Sequence, residues 1–564
     1  MKKQMKAIYR SIRQQKSLEH IDEFNTESYR MGDEVIVYLS VSDRKSRAYV
    51  TAGKGLTHYL AVQEAVSRFN ELRPAHFRAE SVKLDILQDI REVTKDGKNV
   101  NPSSTELSFR SRTDGLMLEN DYEAAFLPEE VLSYSMVKDK KVIPSNILKA
   151  FEKHGLQDRQ KLMTSLLSSK SLKISRIRTK SYFTDGSEVH SLTRGRRKGP
   201  AELTADLLYD TIKLTKNHYY KNVINNEGRF IYTYHPEQNE TPSKYNILRH
   251  SGTLYSMIET YEMMPDPELK QEIDNGLKYL FKRVKDLEIN GHQTKVILEK
   301  GHFKLGGNAL ALVALAKYTN VFDDQQYLPL MQSMARWMKE SQDETGKFSV
   351  HKQNYETGED TGFVSGYYPG EAILSLVRLY QIDRNEEWLD AAENEAKYLI
   401  DIRDNDATID TITHDHWLLY ALNDLYRERP DQKYLNHAFL IADAMIKTQL
   451  FDNVNSKDKI GAYASSGNAS TPVACRSEGL SATYRLAADH GYTENAAKYR
   501  EAVEHGIRFQ LQLHLKPESV MYFDNQQLCL GAVHQGLNNF ELRNDYTQHN
   551  ISSFIAYHNI LMER

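Results

Sequence analysis

From Asp206 onward the sequence repeats one pattern six times, and this repetition restricts the fold more than any other feature. Each repeat joins a polar or glycine-containing signature to an apolar helix, as in "GGNALALVALAKY" and "THDHWLLYALNDLY". Successive repeats are separated by 59, 63, 44, 63 and 71 residues, measured between Arg249, Asn308, Glu371, Asp415, Glu478 and His549. Each interval is long enough for two helices and two loops.

The helices that precede the six signatures differ in character from the signature helices themselves. They are amphipathic with one charged face, whereas the signature helices are apolar around more of their circumference. Twelve helices that alternate between a solvated outer and an enclosed inner position predict an (α/α)6 toroid over residues 203–564. An open α-solenoid would repeat in the same manner, but solenoid repeats normally share a consensus. The count of six and the chemical differences among the signatures favour a closed, mainly α ring.

The first 185 residues mix strand and helix signals and predict a smaller α+β domain. "DEVIVYLSVS" and "SVKLDILQDI" alternate as strands do, and "LTHYLAVQEAVSRF" between them is typical of a helix. The basic stretch "HSLTRGRRKGPAEL" contains two glycines and a proline, which predicts a linker over residues 186–202.

Two segments of this first part carry a family resemblance. "GLMLENDYEAAFLPEEV" and "IPSNILKAFEKHGL" resemble the AMMECR-type domain, in which a Gly-Leu-x-Leu strand precedes a Phe-Leu-Pro-x-x-Val segment and a helix ending in Gly-Leu. The Arg-Gly-Cys-x-Gly segment of that family would fall near "SRAYVTAGKG", which has no cysteine. We therefore expect an N-terminal domain without catalytic function.

Composition and charge exclude several classes of protein. A formal net charge of -4 argues against a general nucleic-acid binder, which would normally show a basic domain or stripe. Cys475 and Cys529 are the only cysteines and make no disulfide framework. No apolar stretch follows the basic N-terminus, and the longest apolar run, "ALALVALA", is too short to cross a bilayer. The sequence thus predicts a cytoplasmic protein without membrane insertion.

The toroid prediction brings distant polar residues together. Its six inner helices would run parallel, so their N-termini would meet around one funnel, where free N–H groups favour anionic or oxygen-rich ligands. We predict that the catalytic residues are Glu371, Asp415, Glu478, Asp545, His416 and His549. We predict that substrate is bound by Arg249, His250, His302, Asn308, Tyr368, Trp417, Arg476, Tyr546 and Asn550.

These residue types suit sugar chemistry. Carboxylate pairs perform glycoside hydrolysis, imidazoles transfer protons, and arginines bind carboxylate or phosphate. In its repeats and in "YYPGEAILSL", "DHWLLYAL" and "RSEGL", the second part resembles the six-hairpin glycosidase superfamily. The resemblance implies a carbohydrate-active enzyme. We predict a glycoside hydrolase that uses acid/base catalysis, without metal or cofactor, on an acidic or phosphorylated saccharide.

Alternatives remain open at the level of sequence. A sugar epimerase of the N-acylglucosamine 2-epimerase or glucuronyl type would use two histidines, such as His416 and His549. A toroid without catalysis would bind glycans or act as a scaffold. Cys475 is a candidate nucleophile if a helix N-terminus lowers its pKa. Asp415 has a structural interpretation as a helix cap, and Arg476 and Glu478 as an ion pair between inner helices.

Overall fold

The computed structural model describes residues 1–93, 98–168, 170–451, 456–464 and 468–563, and its chain forms two compact units. The N-terminal unit consists of Met1–Gly199, His235–Glu240 and Leu515–Leu530. The toroid unit consists of Pro200–Tyr234, Thr241–His514 and Gly531–Arg564. None of the helices in the described ranges combines the length and apolar character that a bilayer crossing requires.

The helices follow the chain in this order. Those up to residue 199 are α1 (Lys2–Gln14), α2 (His58–Leu72), α3 (Pro128–Ser133), α4 (Pro144–Lys153) and α5 (Gln160–Leu167). Those of residues 200–514 are α6 (Ala205–Asn217), α7 (Tyr219–Asn222), α8 (Ile247–Met263), α9 (Pro267–Phe281), α10 (Leu305–Phe322), α11 (Leu328–Glu340), α12 (Tyr368–Asp383), α13 (Glu386–Tyr398), α14 (His416–Glu428), α15 (Gln432–Lys447), α16 (Ser470–Asp489) and α17 (Thr493–Leu511). The last are α18 (Pro517–Val520), α19 (Gln526–Cys529) and α20 (Asn544–Met562).

The strands belong mainly to the first 200 residues. There they are β1 (Arg30–Met31), β2 (Glu34–Ser42), β3 (Tyr49–Gly55), β4 (Ser81–Glu92), β5 (Gly115–Leu118), β6 (Ala125–Phe126), β7 (Val137–Lys138), β8 (Lys141–Val142), β9 (Ile174–Thr184), β10 (Val189–Thr193) and β11 (Arg196–Arg197). Later strands are β12 (Thr233–Tyr234), β13 (Val284–Ile289), β14 (His292–Glu299), β15 (His302–Lys304), β16 (Lys352–Asn354), β17 (His534–Gly536) and β18 (Asn539–Arg543).

The N-terminal unit is built on an antiparallel sheet with the order β1-β2-β4-β9-β10-β11, and β3 pairs with β2. The side chains of β2 point alternately to the two faces of the sheet, so they belong to two different hydrophobic cores. Val35 and Val37 pack in one core with the apolar face of α1, whereas Ile36 and Tyr38 pack in another with Tyr522. The strands and the helix predicted in this part of the sequence are confirmed, and the α+β class with them.

The segment predicted as a linker is instead part of this sheet. Strands β10 and β11 pair through Thr193 and Arg196, with Arg194 and Gly195 between them at φ 52° and 74°. Two central residues with positive φ form the turn of a tight β-hairpin. The basic and glycine-containing sequence therefore encodes a hairpin turn, and the N-terminal unit continues to Gly199.

The toroid unit has the predicted alternation of helices. The signatures lie on the inner helices α8, α10, α12, α14, α16 and α20, and the amphipathic segments form α6, α9, α11, α13, α15 and α17. Each inner helix contacts the next along the chain, and α20 contacts α8. This last contact closes the ring, so the (α/α)6 prediction is confirmed and the open solenoid is wrong.

A small antiparallel sheet, β13-β14-β15-β16, also belongs to the toroid unit and was not expected from the sequence. Ile289 pairs with His292 across Asn290 and Gly291, whose φ angles are 52° and 78°. An Asn-Gly pair between alternating apolar residues is a strong hairpin signal. Strand β15 ends at Lys304, and α10 begins at the next residue, Leu305.

Candidate functional site

A cavity of about 530 Å³ lies in the toroid unit, where the first turns of several inner helices meet. Residues far apart in sequence contact each other there, as the toroid geometry predicts. Arg249 Nη1 lies 3.5 Å from His549 Nε2, for example, across 300 positions of sequence. Of the residues predicted to form the site, the cavity is lined by Arg249, Tyr368, Glu371, His416, Trp417, Arg476, Tyr546 and His549.

Glu371 is a buried acid in the cavity wall. It lies in the first turn of α12, which begins at Tyr368 and Pro369. Among the described residues, no group forms a hydrogen bond with its Oε2 atom. Burial raises the pKa of Glu371 well above its usual value; Arg249 opposes the shift and Asp415 adds to it. Burial therefore favours the protonated form of this carboxyl group, which can donate a proton.

His549 and Glu478 form a buried pair between α20 and α16. His549 Nδ1 lies 2.8 Å from Glu478 Oε2. Burial raises the pKa of Glu478, and burial followed by the charge of Arg249 lowers the pKa of His549. His549 is therefore a neutral imidazole whose orientation Glu478 fixes.

His416, the first residue of α14, presents a second neutral imidazole to the cavity. Neither of its ring nitrogens has a hydrogen-bond partner among the described residues. Its ring centroid lies 5.4 Å from that of His549 in an edge-to-face arrangement. Burial, then the neighbouring His549, lowers its pKa. One nitrogen of this neutral ring can thus accept a proton, a hydrogen bond or a metal ion, and the other can donate a hydrogen bond to a ligand.

Cys475 completes this group. Ligand atoms of His416, Cys475, Glu478 and His549 all lie within 4.8 Å of one another. Helix α16 begins at Ser470, so Cys475 lies beyond its first turn. Burial, followed by Glu478, raises the thiol pKa well above its usual range, and Arg249 opposes this. The expectation that a helix N-terminus lowers this pKa is therefore wrong.

This four-residue group could hold a metal ion. A thiolate, two imidazoles and a carboxylate are the ligand types that Zn²⁺ prefers. The four residues come from three inner helices, so no spacing motif in the sequence indicated them. When bound, a zinc ion would keep Cys475 as a thiolate. The predicted absence of metal stays a prediction.

The sequence matches one known family over this part of the chain. The family model of the β-L-arabinofuranosidase, GH127 catalytic domain, matches residues 212–506, which is more than half of the chain. The chain belongs to this GH127 family. Its members fall in the six-hairpin glycosidase superfamily, so that resemblance is confirmed, whereas the resemblance to the AMMECR-type domain stays a prediction. The protein is an enzyme that acts on sugars, as a glycoside hydrolase or a sugar epimerase.

Solved structures with a similar fold include three sugar enzymes. A D-mannose isomerase is 15% identical with a TM-score of 0.47, covering 64% of this chain and 100% of its own. The cellobiose 2-epimerase of Bacillus thermoamylovorans B4167 is 11% identical with a TM-score of 0.49, covering 63% and 99%. The GH76A α-1,6-mannanase of Salegentibacter sp. HEL1_6 is 14% identical with a TM-score of 0.45, covering 63% and 99%. No curated protein sequence matches the chain.

The arginines of the GH127 cavity differ in their partners. Arg249 and Arg543 both pair with the buried carboxylate of Asp545, at 3.4 Å for Arg249 Nη1. Arg476 binds His414 Nδ1 at 3.1 Å and stacks on the ring of Tyr463 at 4.7 Å. No carboxylate of the described residues forms an ion pair with Arg476. Its charge is therefore available to a ligand.

The sequence allowed an ion pair between Arg476 and Glu478, but the structure does not contain one. Arg476 donates a hydrogen bond to the Pro472 carbonyl and faces His414, whereas Glu478 contacts His549. Burial, followed by Arg476, lowers the pKa of His414 to about 4, so His414 is neutral beside this cation. His414 was not among the predicted site residues, yet it lines the cavity.

Besides Glu478, which contacts His549 and is not among the lining residues, two more predicted carboxylates do not line the cavity. Asp415 caps α14, with Oδ1 accepting hydrogen bonds from the Trp417 and Leu418 amides. Burial raises its pKa to about 7. Asp545 is enclosed by its arginine partners. Both carboxylates support the site from behind the cavity wall.

Four residues predicted to bind substrate also lie outside the lining. His250 contacts the Tyr245 hydroxyl at 2.6 Å and the Gly276 carbonyl at 2.9 Å. The Asn308 amide oxygen accepts a hydrogen bond from the Ile297 amide at 2.8 Å. These contacts position the inner helices against their neighbours.

The remaining two are His302 and Asn550. His302 lies on β15 with Nδ1 3.0 Å from the Lys300 carbonyl. Asn550 donates to the Tyr546 carbonyl at 2.7 Å within α20. The cavity instead includes Gln535 and Arg543, which sequence reasoning missed. Arg543 directly precedes α20, so its position at the start of an inner helix could have indicated it. Gln535 lies on β17, and no feature of the sequence indicated it.

Proposed function

We propose that this GH127 protein is a glycoside hydrolase that releases a terminal sugar of the β-L-arabinofuranoside class. The observation that supports it is the cluster of Cys475 with two neutral imidazoles, in the same cavity as Glu371, whose protonated form burial favours. A nucleophile beside a base, together with a separate general acid, is what displacement at an anomeric carbon requires. The family match supports the proposed sugar class.

In the first step the Cys475 sulfur bonds to the anomeric carbon as its thiol proton passes to His416, in one concerted event, because burial disfavours a free thiolate beside a charged imidazole. The bond from that carbon to the leaving oxygen breaks, and Glu371 gives its proton to this oxygen. In the second step a water molecule attacks the same carbon and Glu371 takes the water proton. The sulfur leaves and recovers its proton from His416. Two displacements give a product of retained anomeric configuration.

His549 and Glu478 have a positioning role in this scheme. Their 2.8 Å contact fixes the second imidazole against Cys475 and leaves Arg249 on its far side. The scheme requires no metal or other cofactor, in keeping with the prediction from the sequence.

Arg476 supports the acidic or phosphorylated saccharide predicted from the sequence. It is a cavity-lining cation without a carboxylate partner among the described residues, whereas Arg249 and Arg543 share Asp545. A carboxylate or phosphate on the sugar would pair with this guanidinium. Arg476→Gln should raise KM for a glycoside with such a group by about tenfold and leave KM for the neutral glycoside almost unchanged.

The reaction is tested with aryl β-L-arabinofuranosides. We expect turnover by the wild-type protein with retention, observed by NMR of the first-formed anomer. Cys475→Ala should lose at least about 10³-fold in kcat, whereas Cys529→Ser, in the N-terminal unit, should change little. Glu371→Gln should lose activity mainly on substrates with a poor leaving group, because an activated aryl group needs no proton. An inverted product would refute the covalent step, and wild-type inactivity would refute the sugar class.

A sugar epimerase is the second candidate, and one observation favours it. His416 and His549 are both neutral, with ring centroids 5.4 Å apart, so one could remove a proton from carbon and the other return one. Incubation with reducing sugars in heavy water distinguishes the two. Deuterium entering the carbon skeleton without bond cleavage would support the epimerase and refute the hydrolase.

A further inference from the structure

Three exposed apolar residues lie within five positions of sequence, just before α12. Phe363 is 44% exposed, Val364 is 76% exposed and Tyr367 is 48% exposed. Other exposed large apolar side chains of the described toroid unit are scattered along the chain. Exposed apolar residues that cluster beside a cavity indicate a binding surface.

The backbone of this loop is held in place. The Ser365 amide donates a hydrogen bond to His351 Nδ1 at 2.9 Å, and the Thr361 amide donates to the Lys352 carbonyl at 3.1 Å. These bonds fix the segment on both sides of Phe363. The aromatic ring is thus presented to solvent by an ordered scaffold.

Phe363 is joined to the cavity through Tyr368. The two ring centroids are 5.8 Å apart, and Tyr368 lines the cavity. Tyr368 also lies in the same helical turn as Glu371, and a Cβ built on Gly306 would meet both side chains. The rings of Tyr368 and Phe363 therefore extend from the proposed general acid, Glu371, to the solvent.

We infer that Phe363 and Tyr368 form a subsite for the sugar on the leaving-group side of the scissile bond. The inference rests on the proposed function, because a general acid must lie beside the leaving oxygen, and the leaving sugar then extends past Glu371. Aromatic faces offer an apolar surface to the C–H face of a sugar ring. The enzyme would then prefer glycans of at least two sugars over glycosides with a small leaving group.

The test compares a β-L-arabinofuranosyl disaccharide with methyl β-L-arabinofuranoside, whose leaving group is too small to reach Phe363. In the full-length protein, Phe363→Ala should lower kcat/KM for the disaccharide by roughly 3- to 10-fold and leave that for the methyl glycoside unchanged. The loss should lie mainly in KM. Phe363→Trp should keep disaccharide activity, and Ile402→Ala, a control that removes an exposed apolar side chain elsewhere in the toroid unit, should change neither value.

The outcomes separate the subsite from the proposed function. If the wild-type protein cleaves both probes and Phe363→Ala affects them equally or not at all, the subsite is refuted and the hydrolase stands. If the wild-type protein cleaves neither probe, the proposed function fails and the subsite with it. Disaccharide-selective loss in Phe363→Ala, restored in Phe363→Trp, supports the inference.

Discussion

Replacing Gly306 with alanine would place a methyl group where two side chains of the cavity wall now lie. A Cβ atom at this position would be 2.2 Å from Glu371 Oε2 and 2.3 Å from Tyr368 Cδ1. Gly307, the next residue in the first turn of α10, provides a matched control. A Cβ atom there would meet nothing closer than 3.8 Å.

The displacement follows from these distances. Real Cβ atoms essentially never lie within 3.0 Å of another group, so Oε2 must retreat by about 0.8 Å, the difference between 3.0 Å and 2.2 Å. Misplacing a reacting group by about 1 Å can cost about 10²-fold in rate. Overpacking typically costs about 1–3 kcal/mol of folding free energy, and removing a helical glycine returns about 0.5–1 kcal/mol. We expect Gly306→Ala to lose about 10²-fold in kcat/KM and at most about 2.5 kcal/mol in stability.

Steady-state kinetics and urea unfolding on the two alanine variants measure both quantities. Gly307→Ala should keep wild-type kcat/KM and the same or slightly higher stability. Wild-type kcat/KM for Gly306→Ala would refute the position assigned to Glu371. Equal losses in both variants would show that the helix start needs glycine for its backbone, and would refute the contact argument.

Three further predictions concern buried polar groups. The pKa of Asp415 is about 7 in the folded protein and 3.8 in the unfolded chain, so the unfolded chain releases this proton at lower pH. The free energy of unfolding therefore falls as the pH rises from about 4 to 7, by at most roughly 4 kcal/mol. Asp415→Asn, which keeps the helix cap, should abolish this fall in urea unfolding at pH 5 and 8; an unchanged pH dependence would refute it. In the N-terminal unit, Tyr522→Phe should lower the free energy of unfolding, measured with urea, by about 1–2 kcal/mol, because the buried Ser40 hydroxyl loses its 2.8 Å partner. An unchanged free energy of unfolding would contradict this. Arg249→Met should move the alkaline limb of the kcat/KM profile to higher pH, because Arg249 lowers the pKa of Glu371; a limb that stays in place would show that another group titrates.

The toroid could be predicted because its cause is local. An inner helix is enclosed on several sides, so it is apolar around most of its circumference, and that pattern is visible in every repeat. The assignment of Leu515–Leu530 to the N-terminal unit could not be predicted. Met521 and Tyr522 pack in the core with Ile36 and Tyr38, but as a sequence they look like any buried pair.

The site could be predicted only as far as the helix ends. Convergence of the six N-termini follows from the topology, but which residue of a turn faces the cavity depends on the rotation of each helix. Successive residues of an α-helix point about 100° apart. Arg249 therefore lines the cavity, while His250 turns away to the Gly276 carbonyl. Each polar signature thus predicts which helical turn lies at the cavity, but not which residue of that turn faces it.

The groups left unpaired in the cavity restrict what can bind there. An unpaired buried polar atom costs about 1–3 kcal/mol, so a folded chain retains few of them without a ligand to satisfy them. Glu371 Oε2 and both nitrogens of His416 lack partners among the described residues, although all are buried. A ligand that pairs with these three atoms needs both donors and acceptors, which hydroxyl groups provide from single atoms. A polyhydroxylated ring would satisfy these atoms, whereas an apolar ligand would leave them unpaired, so they favour a hydroxylated ligand over an apolar one.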